Sequence, residues 1–279
     1  MIGLLTDSNA QLPAELAGRY GVEVVPLTVT VDGEAFREGI DLDADGFYAR
    51  FEGGRRPEVS TSQPSPGRFA QAFAELTARG AQEILAVHVG SGVSGTVNSA
   101  RLAAQSSPVP VHVVDTGTVS FGVACCVWEA GEALARGAAI DEAAAVAGAV
   151  GETVGTVFTV GALDLARAGG RLATGTGTGV SGVPVLTMSG GQMTVIGKVS
   201  DVAAAAEVMA DHVRTAGAGS RLRVGLGIAD ASAAPLWRAL EDCLAGVPGV
   251  REIVRYRIGP SVGAHTGPGT AGVFYYPSN

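Results

Sequence analysis

The chain has 279 residues, of which 41 are glycine and 16% are charged, and its formal net charge is −8. This length is enough for two domains of about 100 to 200 residues each. The acidic balance, with no basic cluster larger than the pair Arg55-Arg56, argues against a nucleic-acid-binding protein. No uncharged apolar stretch approaches the ~20 residues of a bilayer span, and Asp7 comes too early for a signal peptide, so we expect a cytoplasmic protein.

Neither the cysteines nor the histidines show metal-ligand spacing. Cys125 and Cys126 are adjacent in an apolar helical segment, Cys243 is distant, and the four histidines are scattered. We therefore predict no metal, and we expect Cys125 and Cys126 to pack in the core.

Strands and helices alternate in the first half of the sequence, which predicts a parallel sheet covered on both faces. We assign residues 1–153 to an N-terminal α/β domain. The predicted elements are strands at 2–5, 22–31, 83–89 and 109–114, and helices at 13–20, 47–51, 68–79, about 96–105, 121–136 and 141–151.

Asp7 follows the first predicted strand. Open α/β sheets place ligand-binding groups at the carboxyl ends of their strands, so Asp7 is a candidate ligand contact. A turn or cap residue that accepts hydrogen bonds from nearby N–H groups is the alternative.

A turn rich in glycine and serine, residues 90–96, joins the strand at 83–89 to the next helix. The start of a helix offers unpaired N–H groups and partial positive charge, which together bind anions. Ser94, Gly95 and Thr96 add hydroxyls and an open backbone, and no Lys or Arg lies between positions 80 and 100. These neutral donors suit a carboxylate better than a triphosphate. An ordinary N-cap formed by Ser94 or Thr96 is the alternative.

A second group of hydroxyls precedes the helix at 68–79. Ser65, which is followed by a proline, is a good N-cap for that helix. Thr61 and Ser62 are not needed for capping and lie in an extended segment stiffened by Pro64, so we favour a ligand-binding role for them.

The pattern changes after residue 153, and we assign residues 154–279 to a C-terminal α+β domain. A β-hairpin with a turn at 189–191 is its distinguishing feature. The predicted elements are strands at 154–160, 183–188, 192–198, 223–228, 252–258 and 273–276, and helices at 163–168, 202–215 and 235–245.

Residues 259–272 are rich in glycine and proline, which predicts an irregular loop that holds His265 and Thr266. A carboxylate ligand beside His265 would favour the imidazolium form. A histidine hydrogen-bonded to the backbone in a purely structural role is the alternative.

Two further motifs suggest other functions. The glycines from Gly177 to Gly182 fit a dinucleotide-binding pattern, but no strand precedes them and no helix follows, so we reject that cofactor. The turn around Ser94 approximates a nucleophile elbow, except that Thr96 replaces the last glycine. A serine hydrolase using Ser94 with His265 therefore remains an alternative.

Several motifs, in order along nearly the whole chain, make it resemble the DegV family of fatty-acid-binding proteins, which includes the lipid-binding subunits of bacterial fatty acid kinase. These motifs are Thr6-Asp7-Ser8, Thr61-Ser62-Gln63-Pro64-Ser65-Pro66, Ser94-Gly95-Thr96, Asp115 with Val119-Ser120-Phe121-Gly122, Gly169-Gly170-Arg171, and Ile258-Gly259-Pro260 with Gly263-Ala264-His265-Thr266-Gly267-Pro268-Gly269.

The resemblance implies an α/β fold of two domains with one long-chain fatty acid in a lipid-binding tunnel between them. It implies no cofactor other than this ligand and no enzymatic activity of the chain itself. A separate kinase related to dihydroxyacetone kinase would convert the bound acid to an acyl phosphate. The residues implied to bind the carboxylate are Thr61, Ser62, Ser94, Gly95 and Thr96, with His265 close by. Arg171 and Lys198 are candidates for contact with phosphate or with the kinase. A carrier or sensor of another apolar carboxylate, without a kinase, is the alternative.

The chain departs from the family pattern at two places. Ala173 stands where the family usually has a serine, and Lys198-Val199-Ser200-Asp201 places an acid in a run that is usually basic. The second departure bears on recognition of the kinase and leaves the predicted fatty-acid site unchanged.

Overall fold

The computed structural model describes residues 1–173, 182–189 and 191–278. The chain forms two compact units. The first contains Met1–Asp41 and Thr61–Thr153, and the second contains Leu42–Ser60 and Val154–Asn279. Residues 42–60 thus group with the C-terminal part of the chain, and the division into domains at 1–153 and 154–279 stays a prediction.

The elements up to Thr153 alternate between strands and helices, with short 3-10 turns at Ser8–Ala10 and Ala49–Gly54. In chain order they are β1 (Ile2–Asp7), α1 (Ala14–Tyr20), β2 (Glu23–Val25), β3 (Thr28–Val31), β4 (Glu34–Arg37), α2 (Ala44–Tyr48), β5 (Val59–Ser62), α3 (Pro66–Ala78), β6 (Glu83–His88), α4 (Thr96–Ala104), β7 (Val111–Asp115), α5 (Phe121–Ala135) and α6 (Ile140–Thr153).

A parallel sheet in the order β2-β1-β6-β7 forms the centre of the first unit. Nearly every residue of β1 and β6 is buried, as expected for central strands covered by helices on both faces. Thr6 pairs with Val87, and His88 pairs with Asp115. The carboxyl ends of β1, β6 and β7 therefore meet at one edge of the sheet, and the predicted parallel sheet is confirmed.

The single strand predicted at 22–31 is wrong. Pro26 lies between β2 and β3, and proline has no N–H to donate to a sheet ladder. β3 instead pairs with β4 in an antiparallel hairpin, which belongs to a small sheet in the order β4-β3-β5.

Helix α3 begins as the sequence predicts. Ser65 accepts a hydrogen bond from the backbone N–H of Arg68 at 3.4 Å, and Pro66 occupies the first turn. The helix buries Phe69 and Phe73 against β1 and β6 in the core of the first unit. Helix α5 is almost wholly buried and contains Cys125 and Cys126, which confirms their assignment to the core.

The second unit contains a mixed sheet together with α2. The elements that follow Thr153 are β8 (Gly155–Thr159), α7 (Leu163–Ala168), β9 (Val183–Ser189), β10 (Gln192–Val199), α8 (Val202–Ala216), β11 (Leu222–Ile228), α9 (Ala234–Ala245), β12 (Val250–Arg257), α10 (Pro260–Thr266) and β13 (Ala271–Pro277), with a 3-10 turn at Ala231–Ala233. The sheet order is β10-β9-β8-β13-β11-β12. β11 and β12 are parallel, and the other pairings are antiparallel.

The tail predicted to be irregular contains helix α10, so that expectation is wrong. Pro260 stands in the first turn, where its missing N–H costs nothing, and Gly267 follows the last residue of the helix. The hairpin of β9 and β10 is confirmed, although residue 190 of its turn lies outside the described residues. Among the described helices, none combines the length and the apolar character of a membrane span.

Candidate ligand-binding site

The turn before α4 brings two hydroxyls together. Ser94 Oγ lies 2.8 Å from Thr96 Oγ1 and accepts a hydrogen bond from the backbone N–H of Thr96 at 3.3 Å. The N-cap residue is Gly95, which has no side chain to cap the helix, so neither Ser94 nor Thr96 occupies the N-cap position that the alternative assigned to them. One of the two hydroxyl protons is used between them, and the other remains for an acceptor.

Gln63 joins this turn to the segment that carries Thr61 and Ser62. A Cβ built on Gly95 would lie 2.8 Å from Gln63 Nε2 and 3.0 Å from its Cδ, so the Gln63 amide lies directly on the glycine backbone. Thr61 and Ser62 end strand β5, where Thr61 is half-buried and Ser62 is exposed. The structure thus places the two predicted hydroxyl segments side by side in the first unit.

Asp7 and His88 form a buried pair beneath the turn. Oδ2 of Asp7 lies 2.9 Å from Nδ1 of His88, and both side chains are fully buried. Asp7 also accepts hydrogen bonds from the backbone N–H groups of Val89 at 3.0 Å and Asn9 at 3.1 Å. Asp7 is therefore bonded within the protein, which favours the turn alternative over a ligand contact.

The loop after β7 holds the other side of the turn. The backbone N–H of Gly90 donates to the carbonyl of Thr118 at 2.8 Å, and the N–H of Ser91 donates to Asp115 Oδ1 at 3.0 Å. Although burial acts to raise it, the pKa of Asp115 lies below its ordinary value because hydrogen bonds from Ser91 and Gly117 favour the carboxylate. The turn is thus tied to two neighbouring strand ends.

His265 lies in the second unit, within α10 rather than in a loop. A Cβ on Gly169 would lie 2.3 Å from His265 Nδ1, so the first glycine of the Gly169-Gly170-Arg171 motif makes room for the ring. Burial, followed by the positive charge of Arg171, lowers the pKa of His265 to about 4. In the protein without ligand His265 is therefore neutral at pH 7, not the imidazolium that a bound carboxylate would favour.

The two candidate cations of the second unit lie on different elements. Arg171 follows α7, and its carbonyl accepts a hydrogen bond from the N–H of Met193 at 2.7 Å. Lys198 lies near the end of β10, opposite Pro184. Within the described ranges, no group of three His, Cys, Asp or Glu side chains is arranged to hold a metal ion.

Comparison with known proteins identifies the family. The DegV family model matches residues 1–278 of the chain. The chain belongs to the DegV family. A DegV domain-containing protein of Streptomyces coelicolor is 34% identical to this DegV sequence over 280 residues, which cover 98% of this chain and 97% of the relative.

Solved DegV structures share the whole fold. A DegV family protein from Thermus thermophilus, described as binding fatty acid, is 35% identical with a TM-score of 0.87, and the match covers 99% of each chain. A DegV lipid-binding protein from Thermotoga maritima is 27% identical with a TM-score of 0.88, and the match covers 99% of this chain and 98% of the other. The family resemblance and the α/β fold class predicted from the motifs are confirmed.

The acid that departs from the DegV pattern has a local structural role. Asp201 is the N-cap of α8: its Oδ1 accepts a hydrogen bond from the N–H of Ala204 at 2.9 Å, and its Oδ2 accepts one from Ser200 Oγ at 2.8 Å. These bonds lower the pKa of Asp201. The rejected dinucleotide pattern, apart from Gly182, lies outside the described residues.

The residue that the sequence analysis of this DegV protein missed is His88. It ends a buried strand that lies beside β1 in parallel register, so its side chain reaches the one at the end of β1. A histidine at the end of an apolar strand could have suggested a buried polar contact. Its partner Asp7 is 81 residues away in the sequence, so the spacing of residues did not identify it.

Proposed function

We propose that this protein binds one long-chain fatty acid and presents its carboxylate to a separate fatty acid kinase. The carboxylate is held by hydroxyls and backbone N–H groups at Ser94, Gly95 and Thr96, with help from Thr61 and Ser62. The hydroxyl pair of Ser94 and Thr96 at the start of α4 is the observation that carries the proposal.

The chemistry of the turn supports a carboxylate ligand. The first N–H groups of α4 and the dipole of this nine-residue helix favour a negative charge. Arg79 and Arg101 are the nearest Lys or Arg residues in the sequence on either side, and the turn itself carries none. Neutral donors can hold one negative charge without the strong attraction to di- and triphosphates that Lys or Arg would give.

Relatives support the same ligand class, since the DegV family structure from Thermus thermophilus is described as binding fatty acid. The acyl chain would supply most of the affinity. Burying about fifteen CH2 groups at ~0.8 kcal/mol each contributes roughly 12 kcal/mol before ordering costs. The carboxylate site would fix the direction of the chain. The tunnel between two domains, which the family resemblance implies, stays a prediction.

We propose that His265 completes the carboxylate site. Burial lowers its pKa to about 4, and an adjacent carboxylate would oppose that shift by favouring the imidazolium form. Binding at mildly acidic pH would therefore be accompanied by proton uptake at His265. Arg171 and Lys198 stay candidates for contact with phosphate or with the kinase subunit, which would carry out the phosphoryl transfer.

Native mass spectrometry and titration test the proposal. Protein purified from a bacterial host should carry one acyl chain, and delipidated protein should bind palmitate with one site. Thr61→Ala combined with Ser94→Ala should weaken palmitate binding by about thirtyfold, since each removed hydroxyl contributes about 1 kcal/mol. Ser60→Ala, an exposed hydroxyl on the same strand, is the matched control. The proposal would be refuted if the purified protein carried no acyl chain and the delipidated protein did not bind palmitate.

A carrier or sensor without a kinase would pass the palmitate test but fail a second one. The fatty acid kinase subunit from the same organism should be captured by the lipid-loaded protein and should form acyl phosphate with it. Binding of palmitate without capture or acyl phosphate formation would support the carrier alternative.

A further inference from the structure

The buried pair of Asp7 and His88 lies beneath the proposed carboxylate site and has no assigned role. Asp7 makes three hydrogen bonds: Oδ2 is bonded to His88 Nδ1 and accepts from the N–H of Val89, and Oδ1 accepts from the N–H of Asn9. Backbone N–H groups donate to both oxygens of Asp7, which favours an accepting carboxylate, and in that form the proton of the shared bond lies on His88 Nδ1. This holds whether the ring is neutral or charged.

The ring of His88 is held in one orientation. It packs edge-on against Phe69, with ring centroids 5.0 Å apart, and its Nε2 is buried with no hydrogen-bond partner among the described residues. The bond to Asp7 is therefore the polar interaction that orients the ring. If Asp7 were lost, the buried donor on His88 would lose this partner, which is costly because the side chain is fully buried.

The backbone that follows His88 is fixed at successive positions. The carbonyl of His88 accepts hydrogen bonds from Thr116 Oγ1 at 2.8 Å and from the N–H of Thr116 at 3.2 Å. The N–H of Val89 donates to Asp7, and the carbonyl of Gly90 accepts from the N–H of Ser94 at 3.2 Å. Hydrogen bonds thus hold the backbone at intervals from the buried pair to Ser94.

We propose that Asp7 and His88 are positioning residues that hold the hydroxyl turn at 94–96 in its ligand-binding conformation. The inference rests on the proposed function and extends it to residues that do not touch the ligand. A turn held in one conformation before binding loses little entropy when the carboxylate arrives, so the buried pair acts on affinity through the turn.

Substitutions at position 88 separate positioning from folding. His88→Leu removes the donor to Asp7, whereas His88→Asn keeps an N–H donor close to the position of Nδ1. We expect His88→Leu to raise the Kd for palmitate about tenfold, because the carboxylate must then order a loosened turn, and His88→Asn to restore most of the affinity. Hydrogen exchange at the amides of residues 89–96 should accelerate in His88→Leu and return towards the wild-type rate in His88→Asn.

Leu16→Ala is the control for general destabilisation. Leu16 is buried in α1 of the same unit and takes no part in the turn. This variant should lower the Tm while leaving the Kd of the folded protein and the exchange at 89–96 unchanged. An equal rise of Kd in Leu16→Ala and His88→Leu, or wild-type binding and exchange in His88→Leu, would overturn the inference. If the wild-type protein does not bind palmitate, the proposed function fails, and the exchange rates still decide whether the pair holds the turn.

Discussion

The side-chain amide of Gln63 lies on the backbone of Gly95, so that a Cβ at residue 95 would approach Nε2 to 2.8 Å. This contact joins the end of β5 to the start of α4. It therefore also brings together the two hydroxyl segments of the proposed site, Thr61 with Ser62 and Ser94 with Thr96. A side chain larger than hydrogen at position 95 would displace the Gln63 amide from this place between the two segments.

Gly95→Ala should therefore weaken palmitate binding by roughly tenfold while changing the free energy of unfolding by less than about 1 kcal/mol, because the exposed side chain of Gln63 can move away. Gly92→Ala is the matched control in the same turn, since a Cβ there meets nothing within 4 Å. Isothermal titration and urea unfolding of both variants measure the two effects. Equal affinities for the two variants would contradict the prediction.

Two glycines of α6 should respond differently to the same substitution. A Cβ on Gly151 would lie 2.3 Å from the carbonyl oxygen of Thr116, whereas one on Gly148 meets nothing within 4 Å. We expect Gly151→Ala to lower the free energy of unfolding by about 1 to 3 kcal/mol, and Gly148→Ala to raise it by up to about 1 kcal/mol. Chemical unfolding of both variants provides the measurement, and equal stabilities would count against the close approach of α6 to Thr116.

The stability of the protein without ligand should depend on His265 in the acidic range. The pKa of His265 is lowered from 6.5 to about 4, so the folded state favours the neutral ring. The stabilisation is complete above pH 6.5 and is lost as the pH falls through the range from 6.5 to 4, with a total of about 3 kcal/mol at 1.36 kcal/mol per pKa unit. Urea unfolding between pH 7 and 4.5 should show a smaller loss of stability in His265→Asn than in the wild type. A parallel loss in both proteins would show that His265 titrates normally.

Two substitutions of Asp201 distinguish the effect of its helix cap on stability from the effect of its negative charge on kinase binding. Asp201→Ala removes the N-cap of α8 and should cost about 1 kcal/mol of unfolding free energy, whereas Asp201→Asn keeps a capping side chain and removes the charge. If the kinase contacts this run, which is usually basic in the family, Asp201→Asn should be captured by the kinase more strongly than the wild type. Palmitate binding should be unchanged in both variants. If Asp201→Asn is captured no better than the wild type, the charge of Asp201 does not affect recognition by the kinase.

A fluorophosphonate probe tests the hydrolase alternative. Ser94 Oγ is engaged with Thr96 Oγ1 and with the N–H of Thr96. We expect no labelling at Ser94, because its hydroxyl is bonded to the hydroxyl and the N–H of Thr96, and neither group is a base that could activate it. Labelling that disappears in Ser94→Ala would instead support a hydrolase.

The sequence was sufficient where structure is determined by neighbouring residues. The apolar run of β6, the glycine turn and the start of α4 were predicted from their order, as was the cap at Ser65. The helix around His265 was not predicted, because a segment so rich in glycine gives no helical signal, and its stability comes from packing. Gly263 of this helix shows such packing: the rings of Tyr48 and Phe47 lie so close to it that a Cβ at this position would clash with both.

The sequence by itself determined the family, the α/β class and the two hydroxyl segments, since each is written in short motifs and in local periodicity. Only the tertiary structure decided that Asp7 meets His88, which is 81 residues away, and that Gln63 covers Gly95. Such pairings depend on strand register and side-chain packing, which arise from the burial of the whole sheet and leave no trace in the spacing of residues along the chain.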